Sequence, residues 1–250
     1  MGKNIFVFAS CGYCEYALLE FLSKINPQVE WSLKLPYRKK KPKKAISNSE
    51  IVQSLIDFII PSEINGLTGE SISNYVLAQL ERKPYLFEDC DVILLEDDTD
   101  TRAENINNPQ QFLLHEKQSF SEKISCLIGE NVIETYILYA VPEIEAWFIA
   151  DWNNGFGSLD PYFSNKLARY INDNFPLDIE QYRTSVMGKM SDRIINECIN
   201  NIARGPEDRD KVYRKKVHGY LMLQSIEPDI VARRCRLFFA NTYRELQLIR

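Results

Sequence analysis

Residues 90–100 read CDVILLEDDTD. Val92, Ile93, Leu94 and Leu95 form an unbroken apolar run, and three acids follow at once. A short apolar run without polar alternation is what a strand buried on both faces requires, as in a parallel sheet covered by helices. Acids at the end of such a strand fall at the carboxyl edge of the sheet, where open α/β folds bind ligands. Because side chains alternate along an extended chain, Glu96, Asp98 and Asp100 are expected on one side and Asp97 on the other. Oxygen donors grouped in this way suit Mg²⁺, which takes one or two carboxylates and fills its shell with water and phosphate. The competing reading is a solvated acidic loop behind a buried strand.

Working outward, residues 4–9 form a second β-rich run. From Glu15 the apolar positions Tyr16, Leu18, Leu19, Leu22 and Ile25 have helical spacing that Pro27 ends. VEWSLKL (residues 29–35) is a further strand, SEIVQSLIDFI and SISNYVLAQL are helices, and Asn48 or Ser49 and Ser71 are the expected N-caps. Residues 100–111 form a loop, FLLHEKQSFSEKISCLIG is a helix, and IETYILYAV is a third strong strand. Pro142 stands where a helix is expected to begin. That helix, PEIEAWFIADW, carries Glu143 and Glu145 in its first turn; two residues apart, they do not share a helical face and are expected to complement the helix dipole. Helices are expected over roughly 160–172, 189–203, 207–224 and 228–248. Alternating strands and helices followed by helices alone predict an α/β core over residues 1–155 and a helical C-terminal extension over 156–250 packed on it.

The 250 residues suffice for a full core, and no segment approaches eighteen consecutive apolar residues. With no hydrophobic leader at the N-terminus, a cytoplasmic, non-membrane protein is expected. The six cysteines are scattered, so buried thiols are expected rather than a disulfide framework. A net charge of −5 argues against indiscriminate coating of nucleic acid, but the charge is unevenly distributed. Arg38, Lys39, Lys40 and Lys41 form a basic run, and Arg214, Lys215, Lys216 and His218 form another. Basic contacts of this kind supply most sequence-independent affinity for nucleic acid, and Tyr37, Tyr213 and Tyr220 lie among them for stacking. Solvated charged faces are the plainer reading. Cys11-Gly-Tyr-Cys14, between a strand and a helix, also has the arrangement of a thiol–disulfide oxidoreductase.

Four segments in the same order resemble a Toprim-like family, bacterial domain-of-unknown-function family 4276, related to the nuclease domains of the overcoming-lysogenization-defect proteins. The family's Glu-Gly-x-Thr-Glu turn falls on residues 11–15, matching Gly12 and Glu15. Its Asp-x-Asp strand end falls on Glu96 and Asp98, with Asp100 as a further acid. Its Glu-x-Glu-Ala-Trp segment is matched at Glu143, Glu145, Ala146 and Trp147, with Asp151 four residues on, and its tail at Tyr213, Lys215, Cys235 and Phe238. The resemblance implies a Toprim-like, Rossmann-like three-layer core with a mainly parallel sheet. It further implies a metal-dependent nuclease in bacterial antiphage defence, beside an ATPase partner. Glu15, Glu96, Asp98 and Asp100 would hold Mg²⁺ or Mn²⁺, and Lys215 or Lys216 would meet the phosphate. Cys11 stands where the family has glutamate, and Glu96 where it has aspartate. A thiol is a poor ligand for a hard cation, so a degenerate nucleic-acid-binding relative or a non-catalytic interaction subunit are the other expectations.

Overall fold

The computed structural model describes residues 2–10, 15–35, 67–129, 132–159, 161–197 and 213–250. The fold is α/β. Strands β1 (Asn4–Ala9), β2 (Glu30–Leu35), β3 (Val92–Asp98) and β4 (Glu134–Ala140) make one all-parallel sheet in the order β2-β1-β3-β4. Among the described residues the helices are α1 (Glu15–Ile25), α2 (Glu70–Arg82), α3 (Pro109–Ile128), α4 (Glu145–Ala150), α5 (Pro161–Asn174), α6 (Thr184–Met187), α7 (Met190–Glu197), α8 (Lys215–Ser225), α9 (Pro228–Arg234) and α10 (Phe239–Gln247).

Strand alternation divides the core into two. Ile5, Val7, Ala9, Val92, Leu94, Leu138 and Ala140 face α1, α4 and the C-terminal helices. Phe6, Phe8, Ile93, Leu95, Ile137 and Tyr139 face α2 and α3. The result is a three-layer, Rossmann-like sandwich. Both faces of β1 and β3 are buried, which is why their sequences show no polar alternation.

The helices beyond residue 155 share the first core with the sheet. Trp147 of α4, fully buried, lies between Phe21 of α1 and Phe239 of α10, with ring centroids 5.3 and 5.0 Å away. Polar bonds fix their seating. Asn26 donates its amide to the carbonyls of Leu246 and Ile249, and Lys24 donates to the carbonyls of Gln224 and Ile226 at the end of α8. At the sheet edge, the Thr242 hydroxyl donates to the Ile137 carbonyl of β4 at 2.8 Å.

Several sequence expectations are corrected. The helix expected from Pro142 starts at Glu145, leaving Glu143 outside it. The helix expected at Ser71 is preceded instead by Gly69 at φ 57 as N-cap, whose N–H donates to Asp97. The single helix expected over 228–248 is two, α9 and α10. Buried Glu180 accepts the N–H groups of Leu237, Phe238 and Phe239 at 2.6–3.2 Å, so the chain breaks there and restarts. The expected helix over 49–59 lies outside the described residues, and the short α6 had no sequence expectation. No helix among the described residues is long and apolar enough to cross a membrane.

Candidate functional site

The carboxyl ends of β1, β3 and β4 meet on one edge of the sheet. Ser10, just past β1, donates its N–H (3.0 Å) and its hydroxyl (3.2 Å) to Glu96 Oε2, and its hydroxyl oxygen accepts the Asp98 N–H at 3.1 Å. Glu96 is fully buried and Asp98 half-buried. Asp98 Oδ1 accepts the N–H of Ile144, just past β4, at 3.0 Å. Asp97 points to the opposite face, where Gly69 N–H and Arg102 (2.7 Å) donate to it. The expected alternation therefore holds for Glu96, Asp97 and Asp98. It stops there, because β3 ends at Asp98: Asp100 takes φ 48 and pairs with Lys189 at 3.6 Å.

Glu143 and Glu145 join this edge through Lys215. Its ammonium lies 3.4 Å from Glu143 and 3.2 Å from Glu145. They converge despite their spacing because only Glu145 is helical, so no helical rotation separates them. Glu145 stands in the first turn of α4, whereas Glu143 bonds the start of a different helix. Glu143 accepts the N–H and hydroxyl of Ser191 on α7, both at 2.8 Å, and Glu145 accepts the Tyr213 hydroxyl at 2.8 Å.

Electrostatics tie the group together. Burial, and next the Glu96 charge, push Asp98 well above the ordinary carboxylate range; Lys215 pulls it back, and Glu145 and Glu143 push it further. Burial also raises Glu145, against the pull of Lys215 and Tyr213. For Lys215, burial works to lower the ammonium, but Glu145, Glu143 and Asp98 outweigh it and hold it up, so it stays charged. Among the described residues the group thus has four carboxylates against one ammonium, in surroundings mostly closed to water. Such a surplus is relieved by protonation or by a bound cation.

Of the residues singled out in the sequence, Glu96, Asp98 and Lys215 come together. Glu15 is the first residue of α1 and Lys216 lies in the first turn of α8. Cys11, Cys14 and the run from Arg38 to Lys41 lie outside the described residues. Arg214 is exposed beside the group. His218 Nδ1 accepts the Arg214 N–H at 2.9 Å, and burial and the Arg214 charge hold its pKa below the usual imidazole value. The ring is a neutral helix-start acceptor. Cys90 and Cys235 are buried thiols as expected, Cys90 pushed up to about 12 and Cys235 well above its usual value by burial. Glu143 and Glu145 had no assigned role in the site, although the EIEAW segment signalled them. Ser10 and Ser191 carried no signal, since a serine that orients a carboxylate looks like any other.

Comparison of the chain with protein-family models, with curated proteins and with solved structures finds no match in any of the three. Among the described residues no group of three or more His, Cys, Asp or Glu stands at metal-holding spacing. The donors that fit a hard cation are Glu96 and Asp98, as many carboxylates as Mg²⁺ commonly takes from protein when water and phosphate complete its shell.

Proposed function

We propose that the chain is a Mg²⁺- or Mn²⁺-dependent phosphodiesterase acting on nucleic acid. One observation carries this reading: the carboxyl edge of a parallel sheet gathers an acid pair, Glu96 and Asp98, beside a lysine held charged by two further acids. A cation bound by that pair would polarise the scissile phosphate and lower the pKa of an attacking water. The chain's own part is to place charge. Ser10 orients Glu96, and the Ile144 N–H orients Asp98. Glu143 and Glu145 fix the Lys215 ammonium, whose side chain keeps 28% of its surface open to solvent, enough to meet a phosphate oxygen. Charge so positioned stabilises a phosphorane-like transition state without reorganisation.

The test is calorimetric titration with Mn²⁺ alongside cleavage of DNA and RNA oligonucleotides, on the natural chain and on Asp98→Asn. The natural chain is expected to bind Mn²⁺ and cleave one of these polymers, with both lost by about 100-fold or more in the variant. Cleavage by Asp98→Asn at the natural rate removes these acids from the mechanism. A natural chain that neither binds metal nor cleaves is an interaction subunit instead.

A further inference from the structure

A cavity of about 410 Å³ opens at the same edge of the sheet. That volume is within the range of small-molecule sites. Its lining includes Asp100, two residues past the end of β3, and Val141, the residue after β4. Two peptide links separate Asp100 from Asp98, so their Cα atoms are at most about 7 Å apart. The cavity therefore reaches the strand end that carries the acid pair, without sharing a residue with that pair.

Its walls select a ligand class. Ile106, Tyr182 and Phe238 give an apolar side. Asp100, Glu104 and Glu180 add carboxylates, and among the described residues Arg183 is the single cation in the lining. An anionic group is disfavoured in such a lining, so the cavity does not suit phosphate. A flat, uncharged group with N–H donors does suit it. Acceptor capacity is available: Glu104 takes two bonds from Ser185 and Glu180 three from backbone N–H groups, of about four sites per carboxylate. The amides of Asn107 and Gln181 also line the cavity, and this side-chain type pairs with the N6 and N7 edge of adenine.

We infer that the cavity is a nucleobase subsite, taking a base with an exocyclic amino group, adenine foremost, whose phosphate lies outward at Asp98 and Lys215. The inference rests on the nuclease reading of the strand-end acids. Enzymes that grip a base commonly use such a pocket, with hydrogen bonds at the base edge and apolar walls.

The probe is adenosine, which has no phosphate, titrated calorimetrically against the natural chain, Asn107→Trp, Ala103→Leu and Asp98→Asn. Adenosine is expected to bind the natural chain and Asp98→Asn alike, and to bind both cavity-filling variants at least about tenfold more weakly, with uridine about tenfold weaker than adenosine. Unchanged Mn²⁺ binding in Asn107→Trp and Ala103→Leu shows that those variants are folded. Failure of the natural chain to bind adenosine, or equal binding by the filled variants, overturns the inference. Adenosine bound in the cavity of a chain that takes up no Mn²⁺ upholds the base site and overturns its link to cleavage.

Discussion

Lys215 decides whether Glu143 and Glu145 can exist as buried anions. Glu145 has no exposed surface, and Lys215 lies 3.2 Å from it. Removing one partner of a buried pair costs about 3–5 kcal/mol, because the other charge is left without compensation. Lys215→Met is therefore expected to lose about that much stability in urea denaturation. Adding Glu145→Gln to it should restore part of the loss, and a double variant no more stable than the single one would show that packing, not charge, is at stake. The deficit of Lys215→Met should also shrink as pH falls, since Glu145, already raised by burial, then takes up a proton. The sequence showed these residues without their relation. Spacing of two on an assumed helix put Glu143 and Glu145 on different faces, whereas one of them stands outside the helix.

Glu180 plays the same part for an element. It joins a short 3₁₀ turn, Ile179–Gln181, to the start of α10 by taking three successive N–H groups. Burial pushes its carboxyl up to about 7, the three N–H donors pulling the other way without offsetting it. With an ordinary value of 4.5 in the unfolded chain, the stability Glu180 contributes is complete below about 4.5 and is lost as pH rises through about 7. Compared by thermal unfolding with Glu180→Gln, which cannot titrate, the natural chain should lose ground steadily between pH 5 and pH 8, by on the order of 2–3 kcal/mol. A constant gap would mean that the proton is not taken up there. The strands, α1 and α3 were legible because their apolar period is local. The break between α9 and α10 was not, since residues 228–248 are helical by composition and the group that breaks them is a carboxylate some sixty positions earlier in the chain.

For the whole molecule, the decisive fact is that the C-terminal helices and the sheet share one hydrophobic cluster. Trp31, whose indole N–H donates to the Asn26 carbonyl, and Trp147, between α1 and α10, lie in different parts of it. Unfolding followed by tryptophan fluorescence and by far-UV circular dichroism is expected to give one coincident transition; two separated transitions would show that the helical part melts by itself. The sequence made the division into α/β core and helical remainder visible through the order of elements. How the remainder is seated was hidden, because bonds such as those of Lys24 and Asn26 join ends of the chain about two hundred residues apart. That seating has an electrical consequence. Lys24 of α1 grips the far end of α8, so α1 and α8 lie side by side, and both begin at the edge where β1 and β3 end. Gly69, bound to Asp97, starts α2 at that edge too. α1 and α8 aim the positive ends of their peptide dipoles, roughly half a unit charge each, toward the surplus carboxylates, and α2 aims its own at Asp97 on the other face. The molecule is polarised along its strands, and an anion arriving at this edge meets oriented backbone as well as the lysine.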